Sequence, residues 1–170
     1  MARFRIVPER SQFFAEARSS VHPIRVDTTG FEGYLDVEVE AGRLKLDGPV
    51  NAHVELEAER LKTGNGLYDR ELERKLEVRR YPRIKGDVRE VHPVDSNGRY
   101  RVRGELTLHG TTKSVEGDVN IKLVNDTTIE IEGERAFDMR DYGLDPPRLL
   151  MLRVYPDVRV RGRVVAEREG

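Results

Sequence analysis

The four histidines, His22, His53, His92 and His109, are the residues most able to do chemistry in this chain. Each sits in its own segment, and none repeats at the spacing of about two or four residues typical of metal ligands, so the sequence is read as holding no metal and needing no cofactor. His22 and His92 precede Pro23 and Pro93, which biases both toward extended turns. His109 precedes Gly110 and is read as part of a hairpin turn, bonding backbone groups. Ser11, Ser19, Ser20, Ser96 and Ser114 lack an elbow context such as Gly-x-Ser-x-Gly, so no activated nucleophile is in view. Asp138 and Asp141 could share acid–base work, yet a loop rich in Asp, Gly and Pro yields such pairs through turn chemistry alone. The chain is therefore expected not to be an enzyme. Arg140, Asp141, Tyr142 and Asp145 share that late loop, which is either a solvated turn or a place where charged and phenolic groups meet a polar head group. A pyrophosphate would engage Arg140, whose planar guanidinium pairs with two oxygens at once, and a neutral head group would engage Tyr142.

The elements that carry these residues are strands. Apolar and charged residues alternate strictly in Leu35-Asp36-Val37-Glu38-Val39-Glu40, in Arg43 to Asp47, in His53 to Ala58, in Tyr100 to Leu108 and in Val115 to Leu123. Ile129 to Glu132 and Val158 to Val164 continue the pattern, and period two means half-buried strands. With the segment around Phe13 and the run Ile84 to Val91, the sequence predicts about eight or nine strands. Gly48-Pro49, Asn97-Gly98, His109-Gly110 and Asn125-Asp126 punctuate the runs at short intervals, so neighbouring strands are antiparallel. One charged and one apolar face per strand suits a sandwich or a barrel, and closure would remove exposed edges.

One segment breaks the period. Tyr68, Leu72 and Leu76 recur every fourth residue, which predicts a short amphipathic helix near residues 67–77, supported by Glu71 with Lys75 and preceded by Gly64-Asn65-Gly66. Pro82 marks where it cannot continue, and such a helix would plug or cover a barrel end. Candidate inward positions are Leu56, Ile84, Leu106, Leu108 and Ile131 on strands, with Tyr68, Leu72 and Leu76 on the helix; Phe13 and Phe137 complete the set. They either line a ligand cavity or form an ordinary core, because an eight-stranded barrel can be filled by its own side chains.

The totals bound the function. A chain of 170 residues is read as one domain spanning residues 1–170. Thirty Lys+Arg against 31 Asp+Glu leave a formal charge of -1, so no global field draws it to nucleic acid. It has no cysteine, which excludes disulfides and thiol catalysis. The first residues lack the apolar run of about 7–15 residues of a signal peptide, and no later run approaches a membrane span, so the expectation is a cytoplasmic, unanchored protein, with a homodimer open.

Three segments, in order, resemble the signature of the YceI-like family of lipocalin-like, polyisoprenoid-binding barrels. The first is Leu61-Lys62-Thr63-Gly64-Asn65-Gly66, with Asp69, Leu72 and then Tyr81-Pro82-Arg83-Ile84. The second and most specific is Gly104-Glu105-Leu106-Thr107-Leu108-His109-Gly110-Thr111-Thr112-Lys113. The third is Ala136-Phe137-Asp138-Met139-Arg140-Asp141-Tyr142-Gly143-Leu144. The resemblance implies an all-β, antiparallel, eight-stranded lipocalin-like barrel around an apolar channel that binds isoprenoid or other long-chain lipids, with no catalytic residue. Lys85-Gly86 stands where the family has an aromatic, which points to a different, narrower or partly filled pocket. The alternative reading is a stress-related or protein-interaction module whose barrel is filled by side chains.

Overall fold

Alternation becomes a closed sheet because each strand must bury one face and none can leave a long edge unpaired. The computed structural model describes residues 1–46, 50–149 and 151–170; the expected Gly48-Pro49 turn lies outside the described residues. In chain order the strands are β1 (Ala2–Ile6), β2 (Gln12–Ser19), β3 (Ile24–Thr28), β4 (Glu32–Glu40), β5 (Arg43–Lys45) and β6 (Asn51–Glu57). Helix α1 (Gly66–Leu76) follows, and then β7 (Arg83–Pro93), β8 (Arg99–Leu108), β9 (Thr111–Asn125), β10 (Thr128–Asp138), β11 (Arg148–Leu149) and β12 (Leu152–Arg168).

Eight of them close a ring, in the order β1, β4, β6, β7, β8, β9, β10, β12 and back to β1. Every pairing is antiparallel, and Phe4 opposite Arg168 with Ile6 opposite Ala166 makes the closing seam. The strand count exceeds eight because the first two staves of the barrel are broken. β12 pairs with β1 at its C-terminal end and with β2 along its earlier part, from Arg163 opposite Gln12 to Val154 opposite Ser19. β1 and β2 are thus successive pieces of one stave, interrupted by the 3-10 turn Pro8–Arg10. Ser11 repairs the break: fully buried, its hydroxyl donates to the Val7 carbonyl at 2.8 Å and accepts from the Val165 amide at 3.0 Å. β3 pairs with β2 and leads through Thr29–Phe31 into β4, which pairs with β1. Among the described residues, the outer edge of β3 meets the chain again only in one bridge, Asp27 with Lys62, whose two amide bonds span 2.9 and 3.1 Å.

The expected turn chemistry is in place. His109 and Gly110 both have positive φ, 53° and 71°, as the tightest hairpin turns require of both central residues. Asn65 caps α1, its side-chain oxygen accepting from the Leu67 and Tyr68 amides. Asp69 accepts from the Thr63 hydroxyl at 2.8 Å and so fastens the loop that precedes the helix. The expected support of Glu71 by Lys75 is corrected: Glu71 pairs with Arg74, which holds its carboxyl below the ordinary range, while Lys75 turns inward.

The outer face carries the charge. Arg159 and Arg161 pair with Glu134, Arg163 with Glu130, and Arg99 and Arg101 with Asp118 across neighbouring strands. Exposed pairs of this kind contribute about 0–1 kcal/mol each, so they keep the wall soluble and in register more than they hold it shut. One end of the barrel supplies the larger stabilisation. Phe4, Val37, Val91, Ile129 and Ala166 are buried there, with Val88, Val102, Ile121 and Ile131 packed against them.

Candidate ligand cavity

Beyond that packed end, the inward positions of the same strands no longer fill the barrel, although Ile24, Leu152 and Val154 pack with Leu149 in a second, smaller core cluster. The inward positions surround a cavity of about 290 Å³ whose wall is almost wholly apolar. β2 contributes Phe13, Ala15 and Ala17, and β3 contributes Ile24 and Val26. Leu56 of β6, Ile84 of β7, and Leu106 and Leu108 of β8 form the opposite wall, with Leu56 directly across from Ile84 in the ladder. Phe137 of β10 and Val154, Val158 and Val160 of β12 close the circle. Helix α1 lies over the opening and turns Tyr68, Leu72, Lys75 and Leu76 inward. The loop after β10 covers the rest with Tyr142, Leu144 and Asp145, and β11 adds Leu149.

Ten of the twelve residues singled out in the sequence therefore converge on one space: Phe13, Leu56, Tyr68, Leu72, Leu76, Ile84, Leu106, Leu108, Phe137 and Tyr142. Two are placed elsewhere. Ile131 does face inward, but at the packed end, where it lies against the core around Ile129. Arg140 points away: its guanidinium grips Asp138 at 2.7 and 3.0 Å, while its own amide donates to the same carboxylate. That grip holds the Asp138 carboxyl below the ordinary carboxylate range. Asp138 is thereby a structural cap of the turn Met139–Tyr142 and no partner for Asp141 in acid–base work.

Tyr142 is nearly fully buried, and burial pushes its phenol above the ordinary value, so it stays neutral. Lys75, Asp145, Thr28, Thr63 and Tyr68 also line the wall, almost wholly through their carbon atoms. Lys75 was missed in the sequence, where it reads as the surface partner of Glu71. Its spacing held the signal: residue 75 is seven past Tyr68 and three past Leu72, on the same helical stripe. Val154, Val158 and Val160 were also missed as wall residues, although the alternation of β12 places the last two on the inner face.

The three sequence motifs meet in a single clasp beside the mouth. The ring of His109 reaches the Glu77 carboxylate through Nε2 at 2.6 Å and the Tyr142 carbonyl through Nδ1 at 3.2 Å. Glu77 is the left-handed C-cap of α1, with φ 49°, so this imidazole ties the end of the helix to the late loop. Tyr81 meets the His109 ring edge-on, with centroids 5.0 Å apart. Gly110 is required on two counts: its φ is positive, and a Cβ there would lie 2.5 Å from Tyr81 Cε1. The motifs therefore hold the cover in place. Only some of their residues, such as Leu106, Leu108, Phe137 and Tyr142, reach the cavity itself.

Among the described residues, no group of three or more His, Cys, Asp or Glu side chains is placed to hold a metal ion, and no helix is long and apolar enough to cross a membrane.

The family model for the YceI-like domain matches residues 4–166 of the chain. No curated protein sequence matches it. Among solved structures, BcnA of Burkholderia cenocepacia superposes with a TM-score of 0.77 at 16% identity, over 94% of this chain and 98% of that one. A polyisoprenoid binding domain from Saccharophagus degradans, implicated in plant cell wall breakdown, gives a TM-score of 0.77 at 14% identity, over 98% of both chains. The YCEI protein of Campylobacter jejuni gives 0.70 at 16% identity, over 86% of both. At these identities the likeness is one of fold.

Proposed function

The chain belongs to the YceI-like domain family, and on that footing we propose that its barrel binds, and carries or sequesters, a polyisoprenoid or similar long-chain amphiphilic lipid without transforming it. The observation that carries this reading is the cavity, an apolar space held open by strand side chains and covered by a clasped helix and loop. An apolar chain moved there from water gains about 0.8 kcal/mol per methylene, so recognition needs no reaction. The polar groups near the cover, Lys75, Asp145 and Tyr142, are the ones within reach of a head group. This support is structural; the ligand of the Saccharophagus relative adds only that a barrel of this fold takes a polyisoprenoid.

The reading includes a non-enzymatic, cytoplasmic protein. Native mass spectrometry of protein purified from its own host tests it, together with analysis of an organic extract. One lipid per one or two chains is the expected result. An interior that is empty and collapsed, with no extractable lipid, would overturn it. That outcome would favour the interaction module instead, for which the side-chain-filled end of the barrel already speaks.

A further inference from the structure

The cavity has a floor; Phe13 forms part of it and is backed by Phe31. Three strands pass from a wall residue of the cavity to a residue of the packed end across a single inward glycine. In β7 the series is Ile84, Gly86, Val88; in β8 it is Leu106, Gly104, Val102; in β12 it is Val160, Gly162 and then, beyond Val164, Ala166. Val54 of β6 fills the space over Gly86, and Phe13 fills the space over Gly162. Phe13 lies opposite Gly162 in the β2–β12 ladder, and its ring rests on that glycine so closely that a Cβ there would fall 2.1 Å from Phe13 Cε1. Phe31, at the break between β3 and β4, is fully buried and stacks on Phe13 with ring centroids 4.5 Å apart and planes 28° from parallel. Phe13 faces the cavity; Phe31 does not.

We propose that the Phe13–Phe31 plate is a chain-length ruler. This rests on the lipid reading above and adds to it the size of what is taken in. An apolar cavity of about 150 Å³ takes a benzene, six carbons, so one of about 290 Å³ holds roughly ten, the equivalent of about two isoprene units. Only the terminal part of a long isoprenoid fits between plate and cover, and the remainder leaves past α1. Affinity therefore depends on the first ten or so carbons and is indifferent to further length.

Titration of the purified protein with linear prenols of five, ten, fifteen and twenty carbons, followed calorimetrically, tests this. Affinity is expected to rise by about fourfold per added methylene-sized group up to roughly ten carbons and to level off beyond. In Phe13→Ala the break is expected to move to longer prenols. Phe13→Leu, which keeps the site apolar and filled, is expected to move it less and serves should the alanine variant fail to fold. Continued gain up to twenty carbons in the unaltered protein overturns the ruler, as does an unchanged break in both variants. If no prenol of any length binds, the lipid reading itself falls, and the ruler with it.

Discussion

The two ends of this barrel share their strands and differ in what the inward residues do. At one end Phe4, Val37, Val91 and Ile129 reach the middle and touch. At the other Leu56, Ile84, Leu106 and Val158, no smaller as a class, stand back from one another around an open space. Residue size does not account for the difference. Backbone path does. Around Pro8–Arg10 and Thr29–Phe31 the first two staves break, and beyond the breaks the wall is made by β2 and β3 in place of β1 and β4, with the outer edge of β3 bridged, among the described residues, only to Lys62. A ring laddered on every side draws its side chains together. One with a loosened seam and a separate cover can stay hollow. The larger core and the capacity are thereby assigned to different ends of one sheet.

That division can be broken or sharpened by substitution. The largest effect is expected at the packed end: Phe4→Ala removes a fully buried ring and should cost about 3–5 kcal/mol in urea unfolding, with lipid retention intact in the folded fraction. Equal losses of retention and stability would mean that the two ends are not separable. At the hollow end the pattern should reverse. Leu72→Asp or Leu106→Asp sets a carboxylate against an apolar wall that cannot solvate it, and extractable lipid should disappear. Retention at the level of the unaltered protein would remove that residue from the site. The clasp lies between the two cases: Gly110→Ala forces a side chain into the left-handed region against Tyr81, with an expected cost of about 1–2 kcal/mol and faster loss of bound lipid, measured by transfer to vesicles.

The smallest effect is expected from pH. The carboxyls of Asp36, Asp118 and Glu134 are held below their ordinary range by Arg3, Arg101 and Arg159. A lowered folded-state pKa contributes stability above the unfolded value, and that contribution is lost as pH falls through the folded value. These pairs ring the outside of the wall, so thermal unfolding should shift down modestly and smoothly on acidification below the carboxylate range. A sharp transition near neutrality would point to a different group.

Period-two alternation made the strands, the closed sheet and the inward faces legible, and the four-residue spacing of Tyr68, Leu72 and Leu76 made the helix legible. What alternation encodes is the face of the sheet, not the depth along the barrel. Ile131 and Leu106 carry the same pattern and fall at opposite ends, because depth is set by register and by where staves break. Arg140 and Lys75 exchanged their expected surroundings for a related reason. An arginine two residues from Asp138 satisfies itself locally, whereas Lys75, whose neighbour Glu71 is taken by Arg74, lies along the cavity wall on the buried stripe of the cover helix. The breaks at Pro8 and Thr29 were hidden because β1 and β3, the short halves of the two staves, span five residues each, too few to declare a strand.

The lone bridge between Asp27 and Lys62 gives the barrel a preferred place to breathe. Elsewhere an opening must undo a run of paired amides together; here two hydrogen bonds suffice. In hydrogen–deuterium exchange the amides of Asp27 and Lys62 should be the least protected of the wall, and more so without lipid. Slow exchange there would make the mouth under α1 the only door; fast exchange gives the barrel a side hatch, and a rate for loading set by the parting of two strands.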